Sequence, residues 1–509
     1  ISRERIWGTP IPIWVCSNCT HKELISDKND LVNRSSNLVI DKNSNLILKH
    51  DIDKSQYTES IALKNDSIIS HIDIGHFELH RPWIDQIKIN CSKCNSLMTR
   101  EPYVLDTWHN SGAAPFASFN NQDYKKLIPA LFLTEGIDQT RGWSYSLLIQ
   151  NVILKNESTA PFKSFLFQGH VLDEKGNKMS KSAGNVIEAN LMLEKNSIDL
   201  IRFYFIWKAS PIEALNFSLK EMTSRPYQIL STLYYLHIYL KQNSILDNFD
   251  RCIHDLKWTI KNNLLETPEK WLLSVLQNLI KTVNLLFENC RFHEATKAIE
   301  EFIINNVSQT YIPLTRNYIW NDSIEEINRR LAIFSILDYV LEKIDIILHP
   351  VSPFITEYLY LNCFSKIKNL KETDTSKDSV LLSKWPDVET SLIDHDLENT
   401  FEKIKTIISL ANSARMKAKI KRRWPVTEMV ICSFLENEIV APSNNNKENY
   451  CNHSQVDTEL TKNDIYEILK NQLNVQSYKV IQIHTSHTME KVLEMINSDL
   501  PILPLISII

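Results

Sequence analysis

The run Gly169-His170-Val171-Leu172-Asp173-Glu174-Lys175-Gly176-Asn177-Lys178-Met179-Ser180-Lys181-Ser182 decides how the rest of the 509-residue chain is read. The apolar stretch from Phe165 to Leu172 predicts a strand, and Asp173 to Asn177 a polar turn in which Gly176 takes positive φ. The loop that follows offers Lys178 and Lys181 as point charges, and Ser180, Ser182 and the amides around Gly184 as hydrogen-bond donors. That set suits a polyphosphate whose charge grows as a bond breaks. Two lysines and two serines in any order make an ordinary solvated turn. Their order here, after a strand and a tight turn, separates this loop from that background.

In this setting Lys178-Met179-Ser180-Lys181-Ser182 resembles the signature loop of class I aminoacyl-tRNA synthetases. Two upstream segments extend the resemblance: Pro102-Tyr103-Val104-Leu105-Asp106-Thr107-Trp108-His109-Asn110-Ser111-Gly112-Ala113-Ala114-Pro115-Phe116 and Phe132-Leu133-Thr134-Glu135-Gly136-Ile137-Asp138-Gln139-Thr140-Arg141-Gly142-Trp143. The second reads as a strand ending in a glycine turn that presents Glu135, Asp138 and Gln139, then a helix from near Arg141. Carboxylates at the carboxyl end of a strand are where open α/β sheets bind ligands. A plain helix cap is the competing role for Asp138.

The two segments together resemble the isoleucyl-tRNA synthetases of the archaeal or eukaryotic kind, as do Thr107-Trp108-His109-Asn110 and the paired cysteines considered below. The resemblance implies that Glu135 and Gly136 hold the aminoacyl-adenylate with Asp138 and Gln139 beside them. It implies ATP contacts from His170, Lys178, Met179, Ser180, Lys181 and Ser182, with Lys178 and Lys181 as the catalytic charges. Trp108 and Trp143 would wall the isoleucine side chain, their plainer role being core aromatics. Ser2 to Trp14, with Trp7-Gly8-Thr9-Pro10-Ile11-Pro12, resembles the point where these enzymes return from an editing insertion to the catalytic fold.

Composition sets the outer bounds. The chain is 43% hydrophobic with a formal charge of −5, so it can bury large cores and has no global basic field; RNA would be held by local patches. No apolar run approaches the ~18 residues that span a bilayer, and no signal peptide opens the chain, which predicts a cytoplasmic protein with no membrane contact. It begins at Ile1 inside recognisable sequence, so we expect a piece of a longer protein.

Four of the nine cysteines form two C-x-x-C pairs, Cys16 with Cys19 and Cys91 with Cys94. Paired thiolates suit a tetrahedral zinc site, and four of them leave no open position for water, so the metal would be structural. Reduced surface thiols or a redox pair are the alternatives. Between the pairs, 20–75 reads as loops and short hairpins. His71-Ile72-Asp73-Ile74-Gly75-His76 only superficially matches the other class I motif, His-x-Gly-His, because no nucleotide-binding strand precedes it and the second cysteine pair follows.

Beyond the loop, Val186 to Glu194 and Ser197 to Trp207 read as helices, the second with Ser197 as N-cap and Asp199 in its first turn. A helix capped at Thr267-Pro268-Glu269 carries Leu272, Leu276, Leu279, Val283 and Leu286; an amphipathic run covers His293 to Ile304; a third helix runs from the capping box Ser323-x-x-Glu326 to Leu348 before Pro350. Their order, with 316–320 and 349–354 as helix ends, resembles the family's anticodon-binding bundle. Arg415, Lys417, Lys419, Lys421, Arg422 and Arg423 close a helix begun near Thr400. Cations suit a helix C-terminus, and the resemblance adds tRNA backbone contact. Residues 437–463 read as a linker, followed by a helix from Asp464 to Gln472 and a strand from Tyr478 to Ile483.

The expected architecture is α/β followed by all-α. It comprises 1–15 returning into a Rossmann fold, a zinc insertion at 16–100, the second catalytic half at 101–190, helical connections at 191–260, the bundle at 261–425 and a small α/β tail at 426–509. The implied function is ATP- and Mg²⁺-dependent activation of isoleucine and its transfer to tRNA(Ile), by a monomer. The His-x-Gly-His half and the editing domain would precede Ile1, leaving this portion inactive alone. A synthetase for valine or leucine, and a non-catalytic tRNA- or zinc-dependent nucleic-acid binder, are the alternatives.

Overall fold

The computed structural model describes residues 2–3, 7–40, 46–48, 78–155, 160–364, 379–433 and 455–482. The His71–His76 segment, most of the 437–463 linker and Ile483 lie outside them. The chain forms two compact units, Ile1–Gln168 and Gly169–Ile509, so the division falls inside the segment 101–190 expected as one domain.

The first unit opens with an antiparallel four-stranded sheet. Its strands are β1 (Ile13–Cys16), β2 (Lys22–Leu24), β3 (Ile89–Asn90) and β4 (Leu97–Arg100), in the order β2-β1-β4-β3. Alternation along β1 buries Trp14 and Cys16, and Trp14 donates its indole N–H to the Ile87 carbonyl at 3.0 Å. Ile84, Ile87, Ile89 and Met98 complete that core. Where only loops and hairpins were expected, Lys28–Arg34 forms helix α1. Asp27 caps it by accepting from the Asp30 amide, and Leu31 and Val32 bury its inner face.

Farther along this unit lie helix α2 (Thr107–Gly112), the parallel strands β5 (Leu133–Gly136) and β6 (Phe165–Gln168), and helix α3 (Trp143–Lys155). Gly112 lets α2 approach α3: a Cβ there would stand 2.8 Å from the Ser146 carbonyl.

The expected strand from Phe165 to Leu172 is two strands, since β6 stops at Gln168 and the second unit starts with β7 (Val171–Leu172). The break has a steric cause. Gly169 donates to the Pro211 carbonyl at 2.9 Å, and a Cβ on it would sit 2.0 Å from the Glu213 oxygen. β7 pairs in parallel with β8 (Leu215–Asn216), matching Leu172 to Asn216. Helices α4 (Ala189–Lys195) and α5 (Ile198–Lys208) follow the loop; α4 starts later than Val186, and Ser197 caps α5 as expected.

The rest of this unit is a helical bundle with a small tail. Helices α6 (Arg225–Leu246), α7 (Thr267–Glu288) and α9 (Ile327–Leu348) run through a core with Trp271 stacked on Phe401 at 4.5 Å. The run expected at His293 to Ile304 is part of one helix, α8, over 292–319. Its middle, Phe302–Tyr311, is π-helical ahead of Pro313, whose missing N–H and ring would clash in a regular α-turn. Ser323 accepts from the Glu325 amide and caps a 3₁₀ turn, Ile324–Glu326, before α9 begins. Helices α10 (Pro353–Leu359) and α11 (His395–Lys417) complete the bundle. In the tail, helix α12 (Gln455–Leu473) starts inside the expected linker. It joins the parallel strands β9 (Val426–Ser433) and β10 (Val475–Gln482). Among the described residues no helix is long and apolar enough to cross a membrane.

Candidate functional site

The loop after β7 is held by one aspartate. Asp173 accepts at Oδ1 from the amides of Lys175 at 3.0 Å and Asn177 at 2.7 Å, while its carbonyl accepts from Gly176 at 3.0 Å. Gly176 takes φ +82°, as the turn requires. Asn185 then bridges the two ends: its Nδ2 donates to Asp173 Oδ2 at 2.9 Å and its Oδ1 accepts from the Ser180 amide at 3.0 Å. These contacts, the Asn185 side chain first, hold the Asp173 carboxyl below the usual carboxylate range. Neither bridging role was read from the sequence; an Asn just after Gly184 was the available signal.

Inside this frame Ser180 caps a 3₁₀ turn, Lys181–Ala183, which Gly184 ends at φ +66°. Lys178, Lys181 and Ser182 are exposed, Met179 and Ser180 half-buried, and the two lysines have no ion pair among the described residues. His170 is exposed too, its carbonyl accepting from Leu215 at 2.9 Å. Paired, exposed lysines on a fixed turn are chemically able to receive a polyanion.

The remaining adenylate and pocket candidates belong to the first unit. Glu135 and Gly136 end strand β5, opposite Phe167 and Gln168 of β6. Gln139, not Asp138, caps α3: its Oε1 accepts from the Trp143 amide at 3.2 Å, and its Nε2 donates to Asp138 Oδ2 at 2.7 Å. Asp138 and Glu135 therefore stay exposed. Trp108 starts α2 behind Asp106, whose carboxylate accepts from the Trp108 amide at 2.8 Å. Its ring covers Gly142, where a Cβ would meet it at 2.9 Å. Trp143 donates Nε1–H to the Ser111 carbonyl at 3.0 Å and sets its edge on Phe165. The structure thus gathers Trp108, Gln139, Gly142 and Trp143 at the α2–α3 junction.

The four paired cysteines converge, their sulfurs all within 4.8 Å of one another. The knuckles are built alike. The Cys16 carbonyl accepts from the Thr20 amide and the Cys16 amide donates to the His21 carbonyl, Cys91 makes the same backbone pair with Asn95 and Ser96, and Thr20 and Asn95 take φ +57° and +59°. Sulfur separations of 3.4 Å for Cys16–Cys94 and 3.6 Å for Cys19–Cys91 are near the ~3.8 Å that tetrahedral bonds of about 2.3 Å require. The Asn18 and Cys19 amides point at Cys16 Sγ, and the Lys93 amide at Cys91 Sγ. Hydrogen bonds from Ser96 bring the Cys94 thiol down to about 6. Cys19 rises to about 12, the His21 backbone contact pulling it down while desolvation and three thiol neighbours push it up. An all-sulfur, closed donor set fits a metal ion.

The basic run divides. Arg415 is buried, donating to the carbonyls of Trp424 at 2.8 Å, Leu473 at 2.8 Å and Asn474 at 3.0 Å, so it locks the tail to α11. Lys417, Lys419, Lys421, Arg422 and Arg423 are exposed around that lock.

Residues 1–218 match the family model for class I tRNA synthetases (I, L, M and V), and 269–431 the anticodon-binding domain of tRNA ligases. The chain is 33% identical to an isoleucine–tRNA ligase of Clostridium kluyveri over 85% of its length and 37% of the relative's. It is 34% identical to that of Saccharolobus solfataricus, covering 86% and 39%, and 34% to that of Pyrobaculum aerophilum, covering 85% and 40%. The chain thus spans 37% to 40% of these curated relatives' length. In fold it is similar to the LeuRS of the Agrobacterium radiobacter K84 agnB2 ternary complex LeuRS–tRNA–LeuAMS. The TM-score is 0.53 at 17% identity, over 95% of this chain and 51% of that one.

Proposed function

The chain belongs to the class I tRNA synthetase family, and from that premise we propose that it is part of an isoleucine–tRNA ligase. The observation that carries this reading is the loop Lys178–Ser182, held by Asp173 and Asn185 with both lysines exposed, in a chain whose cited relatives are all isoleucine–tRNA ligases. Specificity for valine or leucine, and a non-catalytic role, lack comparable support.

In the proposed reaction the isoleucine carboxylate attacks the α-phosphate of ATP, pyrophosphate leaves isoleucyl-adenylate, and the terminal ribose hydroxyl of tRNA(Ile) then attacks its carbonyl, releasing AMP and the hydroxyl proton. A carboxylate nucleophile needs little acid–base help, so the side chains act by position and charge. Lys178 and Lys181 neutralise charge on the leaving phosphates; Ser180, Ser182 and His170 border them. Mg²⁺, when bound, shares that neutralisation. Glu135, Gly136, Asp138 and Gln139 border the adenylate, and Trp108 and Trp143 wall the aliphatic side chain. Cys16, Cys19, Cys91 and Cys94 hold one structural zinc. The bundle and Lys417, Lys419, Lys421, Arg422 and Arg423 contact tRNA.

Competition binding tests the tRNA half of the reading. A tRNA(Ile) transcript should bind this chain on the order of tenfold more tightly than a tRNA(Val) transcript at matched salt. Equal binding of the two would contradict isoleucine identity.

A further inference from the structure

Helix α10 lacks a local cap. Ser352, at its N-cap position, makes no capping hydrogen bond, and its hydroxyl is buried without a partner. The cap comes instead from α5: Asp199, itself buried, accepts from the amides of Phe354 at 3.2 Å and Ile355 at 2.5 Å. One turn along α5, Arg202 donates to the carbonyls of Pro350 at 2.9 Å and Val351 at 3.1 Å. Those carbonyls lie just past the end of α9, where a helix leaves its acceptors unsatisfied. A carboxylate on a helix start and a guanidinium beyond a helix end both have favourable polarity. Asp199 and Arg202 thus clamp the α9–α10 turn of the bundle from both sides.

The same helix holds the loop. Buried Tyr204 of α5 accepts at its hydroxyl from the Ser218 amide at 3.0 Å, and Ser218 donates its own hydroxyl to Glu174 at 2.5 Å. Glu174 belongs to the turn that leads to Lys178. Phe217 donates to the Leu172 carbonyl at 3.0 Å, fixing strand β7 on the same support. A short rigid path therefore runs from the loop through Ser218 and Tyr204 to Asp199 and Arg202, and on to the bundle.

Resting on the reading above, we propose that Asp199 and Arg202 are positioning residues that hold the Lys178–Ser182 loop in register with the bundle, so that tRNA bound on the bundle orders the loop. Neither needs to touch substrate. The role differs from plain stability because it links two places in one unit through a single helix.

Hydrogen exchange on this chain tests it, with and without a tRNA(Ile) transcript, in the parent, Asp199→Asn and Arg202→Ala. In the parent, tRNA should slow exchange across 173–188, with coupling on the order of tenfold. In both variants the transcript should bind with unchanged affinity while that slowing is lost, and Arg202→Lys should restore part of it. Slowing at the parent level in both variants, or its loss in proportion to lost tRNA affinity, would overturn the proposal. If the parent binds no tRNA, the functional reading fails, and the ligand-free arm judges the clamp. Exchange should then rise together at 353–356 and 173–177 in folded variants, whereas a rise confined to 353–356 would overturn it.

Discussion

His237 Nε2 lies 2.9 Å from Asp345 Oδ2 in the bundle core, with neither side chain exposed. Two helical turns away Asp338 meets Arg251 at 3.0 Å, and Arg251 also reaches Glu342 at 3.1 Å. Burial pushes Asp338 up to about 6 against the pull of Arg251, and pushes Asp345 up against the pull of His237. Burial alone would lower His237, but Asp345 outweighs it and the imidazole titrates above its ordinary value. A folded-state value above the unfolded one means that the folded chain holds the proton more tightly. The contribution is then complete below the unfolded value and fades as pH rises through the folded one.

For Asp338 the window runs from about 4 to about 6. Asp338→Asn should therefore flatten the fall in stability across it, by roughly 2–3 kcal/mol for a shift of about two units. Urea unfolding at pH 4, 5 and 6 checks this. An unchanged slope would show that Asp338 does not titrate in that window.

Gly169 stands against backbone, so Gly169→Ala should displace β7 from β8 and cost roughly 3 kcal/mol, the upper end of overpacking costs. Gly184→Ala meets nothing within 4 Å and has only its φ of +66° to oppose it, at about 1 kcal/mol. Thermal unfolding of the two variants ranks them. Equal midpoints would remove the steric account of the strand break.

That break marks the limit of what sequence could disclose. The Asp173–Asn177 turn, the Gly136 turn and the Ser197 cap follow from local chemistry and were legible. The split of Phe165–Leu172 depends on Pro211 and Glu213, more than forty residues downstream. Arg415 looked like its basic neighbours, yet its partners Leu473 and Asn474 lie in the tail. The cysteine pairs declared themselves by spacing, whereas the capping of α10 by Asp199, at a separation of 155 residues, left no local pattern to find.

The buried guanidinium gives a direct contrast. Arg415→Ala removes a donor from the Trp424, Leu473 and Asn474 carbonyls, the last of which keeps the Val426 amide, so it should destabilise the tail by about 3 kcal/mol and leave the salt dependence of tRNA binding little changed. Arg422→Ala with Arg423→Ala should leave stability nearly intact and flatten that salt dependence by roughly one to two counterions. Unfolding curves and binding titrations from low to moderate salt distinguish the two, and a reversed pattern would refute the division of the basic run.

Metal analysis addresses the cysteine cluster. The purified chain should carry one zinc, and Cys91→Ser should lose it and unfold the sheet around Trp14 and Met98 first, since Cys91 belongs to that core. Trp14 fluorescence during chelation follows the loss. Full zinc content in Cys91→Ser, or none in the parent, would exclude the four-thiolate site.

The most direct measurement is ATP–pyrophosphate exchange by the polypeptide that joins this chain to the remaining length of its relatives. Isoleucine should drive the exchange in preference to valine and leucine, and Lys181→Ala should reduce it by about a hundredfold or more, as for loss of a preorganised charge partner. Exchange driven better by another amino acid, or undiminished in Lys181→Ala, would contradict the account.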